Sequence, residues 1–167
     1  MKHPVKRLVF DAILTAVALT IFVIELHIPL SVGIPGVKLG LSNSVLIFAV
    51  YMLDLPTAWI LMALKVSLSG FLFGNLSAMM YAFAGGVLSL TGMCLLSRVR
   101  SVPVTAVSMI GGLLHNVGQV ALAMLILETG GLVYYMAVLM LVGLLTGFVT
   151  GTAPKLLFEL IPKSLLP

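Results

Sequence analysis

The sequence predicts an all-α integral membrane protein, and three observations support this prediction. Of its 167 residues, 61% are hydrophobic and only 8% are charged, whereas a soluble domain carries about 25% charged residues. The mean hydropathy is +1.25, and no segment is polar enough to form a soluble domain. The apolar residues also form runs near the length of about 20 residues that a spanning helix needs. We therefore expect residues 1–167 to form a single transmembrane domain.

Six apolar runs in the chain predict six transmembrane helices. Pro29 ends the first run and Pro56 opens the third, because proline is disfavoured inside a helix but tolerated in its first turn. The second run is shorter than a full span. A short amphipathic tail follows the last run and ends at Pro167. The predicted helices are residues 8–28, 41–53, 57–73, 78–96, 104–127 and 132–152.

The basic residues predict how these helices are oriented. With the N-terminus inside, Lys38 lies outside, Lys65 falls within a helix, and the other seven Lys and Arg residues lie on the cytoplasmic side. This bias follows the positive-inside rule, so we expect both termini in the cytoplasm. Because the charges do not gather on one face, the net charge of +4 does not indicate a nucleic-acid partner. The seven residues are Lys2, Lys6, Arg7, Arg98, Arg100, Lys155 and Lys163.

A glycine-rich polar stretch joins the first two predicted helices. It contains Gly36 and Gly40, and glycine lets the backbone approach a ligand closely. Ser42 or Asn43 is suited to cap the helix that follows, and a helix N-terminus beside Lys38 favours an anion. We interpret these five residues as ligand-binding. The alternative is a tight turn with one solvated lysine.

Lys65 is the most unusual residue of the predicted membrane interior. It lies near the middle of the third helix, and Ser69 follows one turn later on the same face. Ionisable groups at this depth usually face a cavity or a partner, so we interpret both residues as ligand-binding. The alternative is a lysine held by neighbouring carbonyls or by one carboxylate. Glu25 is a candidate for that carboxylate, for a partner of Lys38, for a ligand contact, or for an interfacial residue that reaches water.

The fifth helix carries a second set of polar residues. His115 and Gln119 are four residues apart and share a face, and Asn116 lies three residues before Gln119. Glycines flank them, so this face is suited to approach a ligand and to offer it hydrogen bonds. The alternative is polar packing between helices, which stabilises a membrane protein by about 0.6–2 kcal/mol per contact.

The sequence predicts no catalytic residue, no cofactor and no metal ion. Cys94 is the single cysteine, so the chain forms no intrachain disulfide and no cysteine-based metal site. His27 and His115 belong to neither an HExxH motif nor a Cys–His cluster.

Small residues recur every four positions in the first helix. Ala12, Ala16 and Thr20 share one face, and a face of this kind lets another helix pack closely. We expect Ala12 and Ala16 to bind a partner subunit. The alternative is packing within the same chain.

These residues together resemble a known group of membrane proteins. The six helices, the basic N-terminus, the small-residue face and the glycine-bearing loop resemble the S components of energy-coupling factor (ECF) transporters. More closely, the loop, Lys65 and the Gly-Gly-Leu-Leu-His-Asn-x-Gly-Gln segment that ends at Gln119 look like the Gx transporter family, also called heptaprenyl diphosphate synthase component I. The resemblance covers nearly the whole chain.

The two family names imply two functions. As an S component, the chain would be the substrate-binding subunit of an importer in a bacterial-type cytoplasmic membrane. It would capture a small anionic, isoprenoid or quinone-type ligand from the outer side. Its first helix would pack on an ECF coupling subunit driven by two cytoplasmic ATPases. The chain has no nucleotide-binding GxxxxGK[ST] motif of its own, so any ATP-driven step needs such partners.

The alternative is a non-catalytic accessory subunit of a heptaprenyl diphosphate synthase. Prenyl diphosphate synthases hold magnesium on Asp-rich DDxxD segments, and no two acidic residues of this chain lie within four positions of each other. The resemblance therefore implies that this chain accompanies a synthase rather than acting as one. The acidic residues are Asp11, Glu25, Asp54, Glu128 and Glu159.

Overall fold

The computed structural model of the chain describes residues 4–27 and 40–160, and each regular element in these ranges is a helix. The predicted all-α class is therefore confirmed for this part of the chain. A 3₁₀ turn, Leu41–Asn43, leads into the second helix. The helices are α1 (Pro4–His27), α2 (Ser44–Met52), α3 (Leu55–Phe73), α4 (Leu76–Leu96), α5 (Val104–Ile126) and α6 (Leu132–Leu160).

Short connections fold the helices back and forth, so the bundle has two ends. One end carries Gly40, the α3–α4 turn at Gly74 and the α5–α6 turn at Gly130, and we call it the Gly40 end. The opposite end carries the α2–α3 turn at Asp54 and the α4–α5 turn at Arg98, and we call it the Arg98 end.

Five of the described helices are long and apolar enough to cross a membrane. Large apolar side chains cover the outside of the bundle, for example Phe71, which is 83% exposed, and Leu145, which is 70% exposed. A surface of this kind suits lipid rather than water, and the chain is a multi-pass membrane protein. The segment Leu41–Met52 is shorter than the other five, so the count of six spans and the orientation stay predictions.

The short second segment is nevertheless tied to α1 at both of its ends. At the Gly40 end, the backbone N–H of Gly40 donates a hydrogen bond to the carboxylate of Glu25. At the Arg98 end, the guanidinium of Arg7 donates to Oδ1 of Asp54 at 2.7 Å. These contacts are 18 residues apart on α1, which is about 27 Å of helix. The segment therefore runs beside α1 between these two contacts.

Polar caps place the starts of two helices. Asp54 accepts a hydrogen bond from the N–H of Thr57 at 2.9 Å, and Asn75 accepts one from the N–H of Ala78 at 2.8 Å. Each cap satisfies an orphan donor of the first turn, so α3 and α4 both begin two residues earlier than predicted. The start of α1 at Pro4 is four residues earlier than predicted, and proline is well suited to a first helical position.

The last helix continues beyond the predicted end near Thr152 and reaches Leu160. Pro154 lies inside it and is buried. A proline removes one helical hydrogen bond and usually ends a helix. In a membrane bundle such a proline is tolerated, because neighbouring helices and hydroxyl groups satisfy the freed backbone carbonyl.

Glycines bring α5 and α6 into close contact. Gly143, Gly147 and Gly151 recur every four residues on α6 and face α5. A Cβ at Gly147 would lie 2.6 Å from the Cα of Met109, and a Cβ at Gly151 would lie 2.6 Å from the Cβ of Ser108. No side chain fits at these positions without separating the helices. The glycines therefore allow the backbones of α5 and α6 to touch.

The hydrophobic core lies between α2, α3, α4 and the start of α5. Its most buried side chains include Ile47, Leu61, Leu90, Met93 and Val107. Most of these residues belong to the half of the bundle nearer the Arg98 end. The core therefore leaves room for a cavity that begins at the Gly40 end.

Candidate functional site

A cavity of about 450 Å³ runs between the helices. It reaches the Gly40 end at Leu127 and Leu132, and it extends into the bundle as far as Met93, Ser108 and Thr150. Its wall is mostly apolar, with a limited number of polar groups, which is typical of small-molecule sites. The polar side chains in its lining are Glu25, Ser42, Asn43, Lys65, Ser69, Tyr81, Ser89, Ser108, His115, Asn116, Gln119, Tyr135, Thr146 and Thr150.

The structure brings nine of the predicted ligand-binding residues to this one cavity. Gly36 and Lys38 lie outside the described residues. Four different parts of the chain contribute these nine residues. That they bind a ligand stays a prediction. They are Glu25, Gly40, Ser42, Asn43, Lys65, Ser69, His115, Asn116 and Gln119.

Gly40 joins α1 to the start of the second segment. Its N–H donates to the buried carboxylate of Glu25, and its carbonyl accepts a hydrogen bond from the N–H of Asn43 at 2.8 Å. Gly40 has a φ of 65°, in the left-handed region, where glycine is not penalised. A Cβ there would also lie 3.2 Å from Nδ2 of Asn43. Glycine at this position therefore allows the backbone conformation in which the Gly40 N–H donates to the Glu25 carboxylate.

Asn43 does not cap α2 with its side chain, contrary to one of our expectations for the polar stretch. Its Oδ1 instead accepts a hydrogen bond from Nζ of Lys65 at 2.5 Å. Lys65 is only 8% exposed, and an ammonium at this depth requires polar neighbours. The side-chain amide is therefore used to hold the lysine, and the charge lies at the wall of the cavity.

Two serines also line this part of the cavity. Ser69, one turn after Lys65 on α3, is buried and donates to the carbonyl of Val66 at 3.1 Å. Ser42 lies in the 3₁₀ turn and is 2% exposed. Both hydroxyls keep acceptor capacity, so they can serve a ligand or the ammonium of Lys65.

The polar residues of α5 divide into two roles. Nδ2 of Asn116 donates to the carbonyl of Leu139 on α6 at 2.6 Å, which is the polar helix packing that we considered as an alternative for this residue. His115 and Gln119 lie against Gly85 of α4, where a Cβ would be 2.8 Å from Cγ of Gln119. The missing side chain at Gly85 leaves space for both residues beside the cavity.

Several lining residues were not predicted from the sequence. Tyr135 of α6 is one of them, and its buried hydroxyl has no hydrogen-bond partner among the described residues. Ser108 and Thr150 are buried, with their hydroxyl oxygens 3.1 Å apart across α5 and α6. The glycines at four-residue spacing on α6 were the signal that could have indicated this α5–α6 contact.

The predicted partner-binding residues, Ala12 and Ala16, do not belong to this cavity. Both are exposed on α1, as is Thr20, and none of them lines the cavity. The small-residue face of α1 is therefore not used for packing within the described part of the chain. Its use by a partner stays a prediction.

The Arg98 end of the bundle holds a separate ion pair. Arg7 lies 2.6 Å from Oδ2 of Asp54, and both side chains are partly exposed. A hydrogen bond with the Thr57 side chain is the largest influence on the pKa of Asp54 and lowers it. Burial opposes this effect, and the Thr57 N–H and the Arg7 guanidinium lower the pKa further. Within residues 4–27 and 40–160, no three His, Cys, Asp or Glu side chains group together as metal ligands.

Comparison with known proteins identifies the family of the chain. A family model described as heptaprenyl diphosphate synthase component I matches residues 14–157, which include every described residue of the cavity. No curated protein matches the chain, and no solved structure matches it. The predicted likeness of the bundle to S components, and the ECF coupling subunit and ATPases that it implied, therefore have no support from these comparisons.

Proposed function

The chain belongs to the heptaprenyl diphosphate synthase component I family, and from that premise we propose that it is a non-catalytic membrane subunit of a prenyl diphosphate synthase. In this role it holds a small ligand in the cavity beside Lys65 and accompanies a separate catalytic chain. This is the alternative that the resemblance implied, and the family match favours it over the importer.

The charge of the cavity carries the proposal. Lys65 lies in its wall, and Glu25 is the only carboxylate among the described residues of its lining. Magnesium on a diphosphate is usually held by carboxylates together with the phosphate oxygens. One carboxylate, already bonded to Gly40, does not provide such a site. The arrangement suits the binding of an anion or a carbonyl group and does not suit metal-assisted chemistry upon it.

The remaining wall indicates the class of ligand. Val66, Ala82, Val120, Ala123 and Leu139 form an apolar surface in the same cavity. A ligand with one anionic or carbonyl end and an apolar body complements both parts. An isoprenoid diphosphate or a quinone-type molecule has this character, and we propose a ligand of this type.

We further propose that the chain is one domain with six spans in a bacterial-type cytoplasmic membrane. Counting the short second segment as a span brings the number from five to six. Its contacts with Glu25 and Arg7, one at each end, support this count. The positive-inside rule favours a cytoplasmic Arg98 end, because Arg7, Arg98 and Arg100 lie there.

Co-purification tests the subunit assignment. The chain is expressed with the catalytic prenyl diphosphate synthase of the same cell, extracted in mild detergent and isolated by a tag on this chain. We expect the synthase to co-purify, and Lys65→Met to keep the complex, because Lys65 lies inside the bundle and the partner contacts its outside. Failure of the synthase to co-purify, with product length and rate unaltered by the chain, would overturn the assignment.

One observation favours the second candidate, the substrate-binding subunit of an ECF-type importer. Ala12 and Ala16 leave an exposed small-residue face on α1, which is suited to close packing against another membrane helix. If this function is correct, ATPase-bearing partners co-purify, and Ala12→Leu or Ala16→Leu reduces their yield. Ile13→Leu, at an exposed position beside this face, is the matched control and keeps the yield. Retention of the partners by both alanine variants would remove this support.

A further inference from the structure

The cavity is a long slot rather than a round chamber. Its lining along α5 begins at Ser108 and ends at Leu127, the residue directly after the helix, and at about 1.5 Å per residue these positions are about 28 Å apart. Its lining on α6, from Leu132 to Thr150, has nearly the same length. A volume of about 450 Å³ drawn out over this distance leaves a narrow passage, which complements an extended chain better than a compact ring system.

The slot is closed at the Arg98 end. The lining residues nearest that end are Met93 on α4, Ser108 on α5 and Thr150 on α6, and each is at most 4% exposed. Met93 also belongs to the hydrophobic core, and a Cβ at Gly111 would lie 2.7 Å from its sulfur. We call Met93, Ser108 and Thr150 the floor. Because the core packs behind it, the floor limits how deep a ligand can extend.

The two ends of the slot differ in charge. The ammonium of Lys65 is bonded to Asn43, close to Gly40 and Glu25, so the charge lies toward the Gly40 end. The floor carries hydroxyls that bond each other and a thioether, with no charged group among its three side chains. A polar head beside Lys65 therefore directs the rest of a ligand toward the floor.

We propose that this slot binds a linear amphiphile with an anionic head at Lys65 and that the floor, chiefly Met93, sets the longest apolar chain it accepts. The proposal rests on the proposed function in one respect, the binding of an anion at Lys65. Of the three floor residues, Met93 has the longest and most flexible side chain, so its truncation extends the slot with the least disturbance of the helix contacts.

A series of n-alkyl phosphates, from butyl to hexadecyl, tests this limit. Binding to the purified chain in a bilayer disc is measured by native mass spectrometry, and Lys65→Met measures the binding that does not use the head site. Each buried methylene should raise the Lys65-dependent affinity about fourfold until the chain reaches the floor. Longer phosphates should then gain nothing or bind more weakly.

Met93→Ala should move this limit to chains longer by about one to three methylenes, because it removes three heavy atoms at the floor and opens a cavity there. Met62→Ala is the matched control. Met62 is equally buried in the core and packs on Gly86, but it does not line the slot. It should lose comparable stability and keep the wild-type limit. Ser89 lines the slot one turn before Met93 on α4, nearer the Gly40 end. Ser89→Leu should therefore shift the limit to shorter chains.

The outcomes separate this inference from the proposed function. A limit that moves in Met93→Ala and not in Met62→Ala supports the floor. Lys65-dependent affinity that is independent of chain length, or a limit that Met93→Ala leaves in place, overturns the floor but leaves anion binding intact. Absence of Lys65-dependent binding for every phosphate overturns both the slot ligand and the anion site, while association with the synthase is decided by co-purification.

Discussion

Nζ of Lys65 donates a hydrogen bond to Oδ1 of Asn43 at 2.5 Å, and this contact connects the middle of α3 to the first turn of the second segment. Asn43 is in turn bonded through its N–H to Gly40, whose own N–H is bonded to Glu25. Three elements that are distant in sequence thus meet at one corner of the cavity. A ligand that bonds to Lys65 would therefore lie beside the residues that connect α1 to the 3₁₀ turn before α2.

The first prediction is that Lys65→Met weakens ligand binding. The substitution keeps roughly the length of the side chain and removes its charge. A hydrogen bond to a charged group contributes about 1.5–3 kcal/mol, so we expect binding weaker by a factor of about 10 to 150. Lys65→Arg should also bind poorly, because a planar guanidinium does not replace a compact ammonium in a shaped cavity. Leu64→Met, at the exposed neighbouring position, is the control, and affinity is measured by native mass spectrometry.

A pairing of Lys65 with Glu25 would give a different result in the same variant. Lys65→Met would then leave a buried carboxylate without its counter-charge and would lower the thermal stability. The double variant Glu25→Gln with Lys65→Met would recover part of that loss. If Lys65 instead binds the ligand, the effects of Glu25→Gln and Lys65→Met on thermal stability should be additive in the double variant. Affinity in Lys65→Met equal to that of the wild type would remove this residue from the site.

The second prediction concerns acid stability at the Arg98 end. The folded-state pKa of Asp54 is lowered, first by the Thr57 side chain. A lowered pKa stabilises the fold above the unfolded-state pKa of about 3.9, and this contribution is lost as pH falls through the lower folded-state value. Because the ion pair with Arg7 is partly exposed, it contributes only about 0.2–1 kcal/mol.

Thermal unfolding in detergent checks this prediction. At neutral pH, Asp54→Asn should lower the melting temperature by no more than about 4 °C. The difference from the wild type should shrink as the pH is lowered below about 4. Glu128→Gln, which removes a carboxylate in the α5–α6 turn at the opposite end, is the control. A difference between Asp54→Asn and wild type that persists undiminished in acid would contradict the role of the Asp54 charge.

Much of the fold follows from the sequence, because helices in lipid must satisfy their own backbone groups. Apolar runs therefore located the helices, and one buried lysine, which is costly without a partner, indicated where the cavity lies. The hydrogen-bond partners of the polar side chains were harder to predict from the sequence. Whether Asn43 caps its own helix or bonds Lys65 depends on how α3 packs beside it, and local propensity contains no information on that contact.

The floor of the slot was missed for a related reason. Ser108, Thr150 and Met93 are common residues of membrane helices, and none carries a charge that demands explanation. Their importance arises because the glycines of α6 hold α5 close enough for the Ser108 and Thr150 hydroxyls to meet. A four-residue glycine spacing indicates that a helix packs closely, but it does not identify the helix that packs on it.

The third prediction tests this close contact. In Gly147→Ala, the new Cβ would lie 2.6 Å from both the Cα of Met109 and the carbonyl oxygen of Ser108. Backbone atoms cannot rotate away, so α5 and α6 must separate, and we expect destabilisation of about 1–3 kcal/mol. Gly130→Ala is the matched control, because nothing lies within 4 Å of its Cβ position. Equal thermal stability of the two variants would mean that the helices tolerate a wider separation than the structure indicates.

The last prediction concerns orientation, which the helix packing does not determine. The positive-inside rule favours a cytoplasmic Arg98 end, so single cysteines at the two ends should be labelled from opposite sides. In a Cys94→Ala background, Val99→Cys lies in the α4–α5 turn and Gly130→Cys in the α5–α6 turn, and both positions are exposed. An impermeant maleimide added to intact cells should label Gly130→Cys, while Val99→Cys should react only after the membrane is opened. Labelling of both from the outside would mean that α5 does not span the membrane. The reverse pattern would keep the fold, place the Gly40 end in the cytoplasm, and exclude capture of a ligand from the outer side.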